Sequence, residues 1–160
     1  MAVKTLVAAR VATTSGNTHE NIRNYPEAAG QSFKRGQFVY LASGKVTACA
    51  DDAAAILGMA LKDASTVTDT DVPVALADAN TLYEMCVYHG TPASAITAIT
   101  QVGVNYALQV DDNKCYVDIE DTGNDAFVVE GFSPVDAIGD QYGRVFVRVL
   151  AAASQVQAGS

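Results

Sequence analysis

The sequence predicts a mainly β protein: a compact β-barrel domain with at most one or two short helices and an extended N-terminal arm. Three observations predict it. Short runs rich in Val, Ile, Tyr and Phe recur from Gly36 onward, parted by links bearing Gly, Asp and Ser. No segment sustains a helical period beyond a turn or two. A chain of 160 residues with 49% hydrophobic and 18% charged residues can bury a core without disulfides or metals.

Residues 1–30 lack periodicity. Thr13 to Asn24 is polar and turn-rich, and Pro26 disfavours helix at Tyr25, so this stretch reads as the arm. The barrel domain spans 31–150. Phe38 to Leu41 is β-rich, Ser43-Gly44 is a tight-turn signal, and Lys45 to Ala48 returns as the second strand of a hairpin. Asp51 to Ala55 is a link. Ile56 to Leu61 reads as a buried strand in which Gly58 marks a bulge or a close backbone approach. Val72 to Ala77 follows, with Pro73 placed at an edge where a missing donor is tolerated, and then Leu82 to Tyr88. Ser94 to Val102 fits one or two helical turns, with Ile96 and Ile99 three apart. Tyr106 to Val110, Lys114 to Ile119, Phe127 to Val129 and Arg144 to Leu150 are four more strands. The last puts Val145, Val147 and Val149 on one face, which needs cover. Residues 151–160 read as a flexible tail.

One stretch echoes another. Gly36-Gln-Phe-Val-Tyr-Leu41, a turn, a Lys-led strand, acids and Ile56-Leu57-Gly58 follow the order of Gly103 to Leu108, a turn, a strand from Lys114, acids and Val128 to Gly131. Two copies are too few for a solenoid, and they read as two similar β-layers of one barrel.

The formal net charge is −8. Residues 1–35 carry five basic and two acidic groups, and residues 36–160 carry five basic and sixteen acidic ones. This does not suit nucleic acid, whose phosphates require clustered Lys and Arg. No run approaches the length of a membrane span, and the apolar Leu6 to Ala9 is too short for a signal-peptide core, so no membrane partner is expected.

Cys49, Cys86 and Cys115 are widely spaced, and neither His19 nor His89 has ligand spacing; no metal and no cofactor is expected. The phosphate-loop, dinucleotide, serine-hydrolase and zinc-protease patterns are missing. Cys86 and His89 fall on opposite faces of a strand, three residues apart, which denies them a direct hydrogen bond. Asp118 to Gly123 partly mimics a calcium loop, but Thr122 and Val129 stand where ligands are needed. No catalytic residue is assigned, and the chain reads as a non-enzyme.

Two stretches carry a family likeness. Glu27 to Ala64 contains Gly-x-x-Val-Tyr-Leu, a small turn, Lys-Val, an Ala/Asp-rich link and Ile-Leu-Gly-x-Ala-Leu. Val102 to Leu150 contains Val-Gly-x-x-Tyr-x-Leu, an acidic turn, Val-x-Gly-Phe and Gly-Arg-Val-x-Val-Arg-Val-Leu. Both resemble the capsid decoration (cement) proteins of tailed bacteriophages, of the small β-barrel or β-tulip type. The resemblance implies a homotrimer, made in the host cytoplasm, that sits on the outer surface of the virion head. There it would clamp the major capsid protein against the pressure of packaged DNA. It also implies capsid contact through the N-terminal arm, where Lys4, Leu6, Val7, Arg10, Val11, Ile22 and Arg23 are the candidate contacts. The alternatives are a virion fibre or spike-base or glycan-binding β-domain, although Trp is absent, and a trimeric β-barrel nucleotide hydrolase.

Overall fold

A computed structural model describes residues 8–14 and 21–157. Eleven strands and two single 3-10 turns account for its regular structure. The strands are β1 (Arg10–Thr14), β2 (Ile22–Pro26), β3 (Phe38–Ala42), β4 (Lys45–Ala48), β5 (Gly58–Ala60), β6 (Asp71–Leu76), β7 (Thr81–Tyr88), β8 (Asn105–Asp111), β9 (Lys114–Asp118), β10 (Phe127–Phe132) and β11 (Arg144–Val149). The 3-10 turns are Pro92–Ser94 and Ile99–Gln101. The fold is mainly β and contains a closed five-stranded barrel.

The strands form two five-stranded units of one topology. The first has the order β2-β6-β5-β3-β4 and the second β7-β11-β10-β8-β9. The agreement extends to the register. In the first unit Val46 lies opposite Leu41, Val39 opposite Gly58, Gly58 opposite Leu76 and Val74 opposite Arg23; Glu27, four residues further on, bridges back to Val46 in parallel. In the second Val117 lies opposite Leu108, Tyr106 opposite Phe127, Phe127 opposite Val149 and Val147 opposite Tyr83; Val87, four residues further on, pairs with Val117 in parallel. The second unit's hairpin reaches two residues further past the equivalent Leu108–Val117 pair than the first does past Leu41–Val46, and β10 carries a bulge between Val129 and Gly131. The echo in the sequence is therefore two complete units rather than two layers of one barrel. Both hairpins turn through two residues of positive φ, Ser43-Gly44 and Asp112-Asn113, as the twist of a tight hairpin demands.

Each unit has its own core. The first buries Phe33, Val39, Val46, Leu57, Val72, Val74 and Leu76. The second buries a larger set that includes Tyr83, Met85, Val87, Leu108, Val117 and Phe127. Val145, Val147 and Val149 are buried there too, so their face is covered by their own chain rather than by a neighbouring subunit. Side-chain alternation joins the units. Phe38 and Met59 leave the first sheet on the side opposite to Val39 and Ala60 and enter the second core. Phe38 meets Tyr83 edge-on at 4.9 Å between ring centroids, and the Tyr83 hydroxyl donates to the Ala75 carbonyl at 2.9 Å. Gly58 is required where β5 and β6 meet: a Cβ there would lie 2.1 Å from the Ala75 carbonyl oxygen.

Three expectations change. Within the segment expected to be an arm, β1 pairs with β7 and β2 pairs with β6, so Arg10–Thr14 and Ile22–Pro26 belong to the body. Residues 151–157 of the expected flexible tail form a strap between the units. Ile56 donates to Ala153 at 2.7 Å, Gln155 donates back to Ile56 at 2.8 Å, and the Ser154 hydroxyl donates to Ala77 at 2.8 Å. Pro73 lies on an interior strand, between β2 and β5. Its carbonyl accepts from Leu61, so its donorless nitrogen, which points the same way, faces the position just past the end of β5.

Candidate interaction surface

Five of the eight large apolar side chains exposed among the described residues lie on two loops: Ile96, Ile99 and Val102 between β7 and β8, and Val135 and Ile138 between β10 and β11. Because β7 and β10 run the same way, both loops leave the same end of the second barrel. The loops are hydrogen-bonded to each other. Gly139 donates to the Thr97 hydroxyl at 2.9 Å, Tyr142 to the Ala95 carbonyl at 2.7 Å, and the Gln141 side chain to the Pro92 carbonyl at 2.9 Å. A Cβ at Gly143 would stand 2.8 Å from the Thr97 methyl, so a glycine there lets the loops pack closely. Gly139 and Tyr142 hold positive φ, a conformation the loop–loop bonds stabilise. Apolar side chains on braced loops form a contact surface whose ordering cost is largely met before binding.

Charged groups inside the body are structural. Glu84 on β7 is buried, accepts from Arg10 Nε at 2.8 Å and from the Ser133 hydroxyl at 2.9 Å, and so ties β1 and the β10–β11 loop to the barrel. Burial alone would push its carboxyl up, but the bonds from Arg10 and Ser133 and the charges of Arg10 and Arg144 outweigh it and hold it below the ordinary carboxylate value. Glu27 is fully buried and accepts from the Ser65 and Thr66 amides at 2.8 and 2.9 Å and from the Ser65 hydroxyl at 3.0 Å. It holds the loop between β5 and β6 in shape, including Thr66 and Asp69 at positive φ.

Cys49, Cys115 and His89 are engaged in packing or turns. Cys49 and Cys115 are buried, and burial raises both thiols, Cys115 to about 12, far from a reactive thiolate. His89 accepts from the Thr91 amide through Nδ1 at 2.9 Å and lies 3.7 Å from Glu120 through Nε2. His19 lies outside the described residues. Asp121, in the calcium-like stretch, accepts from the Gly123 and Asn124 amides as a turn anchor. No cluster of three or more His, Cys, Asp or Glu among the described residues is placed to hold a metal ion. No helix among them is long and apolar enough to cross a membrane.

The expected contact residues scatter. Lys4, Leu6 and Val7 lie outside the described residues. Arg10 is paired with Glu84 while its side chain stays 65% exposed, and the partly buried Val11 packs against the second core. Ile22 and Arg23 are exposed on β2, a strand of the other sheet. The loop residues were not singled out as contacts in the sequence. Their signal was apolar side chains amid Gly, Pro and Asp, outside any strand period. No family model matches the chain, and no curated protein matches it.

Proposed function

We propose that the protein is a structural, non-enzymatic component of a virus particle: a capsid decoration protein that binds the outer surface of a tailed-phage head as a homotrimer and stabilises the shell. The resemblance of Glu27–Ala64 and Val102–Leu150 to cement proteins supports the family. The observation that carries the reading is the set of exposed apolar side chains on the two braced loops of the second barrel. Fully burying one such side chain is worth about 1.5–3 kcal/mol, and three copies on one trimer act together through effective concentration. On this reading the end loops supply a capsid contact that the arm alone was expected to make.

The test uses particles produced by the genome that encodes the chain, stripped of the protein and mixed with the full-length chain. Wild type should cosediment with them at hundreds of copies per particle. The double variant Ile99→Asp, Ile138→Asp should keep the wild-type melting temperature, because both sites are exposed, and lose binding. Equal binding by the variant would remove the loops from the contact. A species of 16.7 kDa alone at micromolar concentration in sedimentation would contradict the trimer.

A further inference from the structure

The internal repeat exposes a strand position that is filled in one unit and, among the described residues, has no occupant in the other. In the second unit the outer edge of β7 has two neighbours in succession: β1 beside Thr81–Glu84, and β9 beside Val87 and Tyr88. In the first unit β4 meets β2 at Glu27, the register equivalent of Val87. The equivalents of Thr81–Glu84 are residues 21–24, and no described strand lies beside them. All four are exposed, with Ile22 at 47%.

The backbone of β2 is oriented for a further strand. Asn21 accepts from Leu76 at 2.8 Å, and Arg23 and Tyr25 face β6 in alternation with it. Pro73, opposite Asn24, points away toward Leu61. The N–H and C=O groups of Ile22 and Asn24 therefore point outward. No bulge interrupts the β2–β6 register, and of the devices that protect natural edges β2 carries Arg23 and, past residues 21–24, Pro26. Arg23 makes no ion pair with a described residue in a chain of net charge −8, whereas Arg10, Arg144 and Arg148 each hold a carboxylate.

We infer that the outer edge of β2 over residues 21–24 is a strand-acceptor site, completed by an extended acidic segment of the shell protein. The segment pairs its backbone with Ile22 and Asn24, lays an apolar side chain on Ile22, and sets a carboxylate against Arg23. Charge selects this occupant over β1 of a second copy, the strand that fills the equivalent edge in the second unit, because its Arg10 would meet Arg23 with like charge. The inference rests on the shell-binding reading and adds a second contact to it.

The experiment is amide hydrogen exchange on the full chain, free and bound to stripped particles, together with binding by Asn24→Pro, Arg23→Glu and Arg23→Lys. In the free protein Ile22 and Asn24 should exchange fast while Arg23 and Tyr25 are protected. On particles Ile22 and Asn24 should become protected at least tenfold. Asn24→Pro removes only an outward donor, so it should keep its melting temperature and bind at least tenfold more weakly; Arg23→Glu should weaken binding and Arg23→Lys largely restore it. Fast exchange at Ile22 and Asn24 in particle-bound protein would overturn the site and leave the shell reading intact. Wild type that fails to bind would overturn both. Protection already present in the free protein, or appearing with its concentration alone, would show that the edge is filled by this chain or a second copy and overturn the acidic partner.

Discussion

Where the second unit places Phe127, the first places Gly58; where the second has Val87 and Tyr83, the first has Glu27 and Arg23. The pairing scheme is shared, so these differences report what each wall must do. The second unit is filled by aromatic and β-branched side chains and capped at one end by the first unit. The first has the smaller core, closes on a carboxylate that organises a loop, and turns its outer face into the lid of its neighbour. That lid face is Phe38, Met59 and Ala75, all buried. Its equivalents on the second unit are Asn105, Val128 and Arg148, all half-buried, and Arg148 pairs with Glu130 at 2.7 Å. Among the described residues no further unit covers this more polar face. Apolar surface reappears at the end loops, where the second unit exposes five large apolar side chains and the loop held by Glu27 exposes Val67 alone.

The largest expected effect lies at the Phe127–Gly58 pair. Phe127→Ala should cost about 3–5 kcal/mol by leaving a cavity in the larger core. Gly58→Ala should cost as much for the opposite reason, because its Cβ would lie 2.1 Å from the Ala75 carbonyl and must push β5 from β6. Denaturant unfolding measures both. A loss below about 1 kcal/mol at either position would break the contrast between a filled and a close-packed wall.

The next effect is at Glu27. Its replacement by Ala empties a fully buried site and takes the carboxylate acceptor from the Ser65 and Thr66 amides, and should cost about 3 kcal/mol, or roughly 6–12 °C in melting temperature. Val87→Ala, the same position in the second unit, should cost less because no polar partner is orphaned. The reverse order would show that the Glu27 loop is dispensable.

Acid should act on the second unit through Glu84. Its folded value lies below its unfolded one, so its contribution is present above the unfolded carboxylate range, near pH 4.3, and is lost as pH falls through the folded value. Glu84→Gln should lower stability at pH 7 and flatten the acid limb of a stability–pH curve. An unchanged acid limb would show that the Arg10–Glu84–Ser133 tie contributes nothing. The smallest effect is expected at the half-exposed Arg148–Glu130 pair, where Arg148→Ala should change stability by less than about 1 kcal/mol.

Strands with local support were legible in the sequence. Phe38–Ala42 and Lys45–Ala48 flank a turn signal, and Arg144–Val149 alternates cleanly, so pattern and turn chemistry sufficed. β1 and β2 were not legible because Arg-Val-Ala-Thr-Thr and Ile-Arg-Asn-Tyr-Pro carry little alternation and owe their strand geometry to β7 and β6, distant in sequence. The strap was hidden because Ala153 and Ser154 are held by hydrogen bonds rather than by large apolar area. The repeat was half visible. Gly36 and Gly103 carried it, but matching Gly58 to Gly131 misplaced the last strand: Gly131 lies beyond the β10 bulge, and the register partner of Gly58 is Phe127. Of the contact candidates among the described residues, Ile22 and Arg23 are exposed and without a described charged or core partner. The end loops escaped because their apolar residues follow no strand or helix period.

Image reconstruction of particles decorated with the full chain tests the central claim most directly. The account predicts trimers on the outer shell, with residues 92–103 and 133–143 of the second unit against the capsid surface. Particles bare of the protein, or a shell contact that leaves both loops facing solvent, would contradict it.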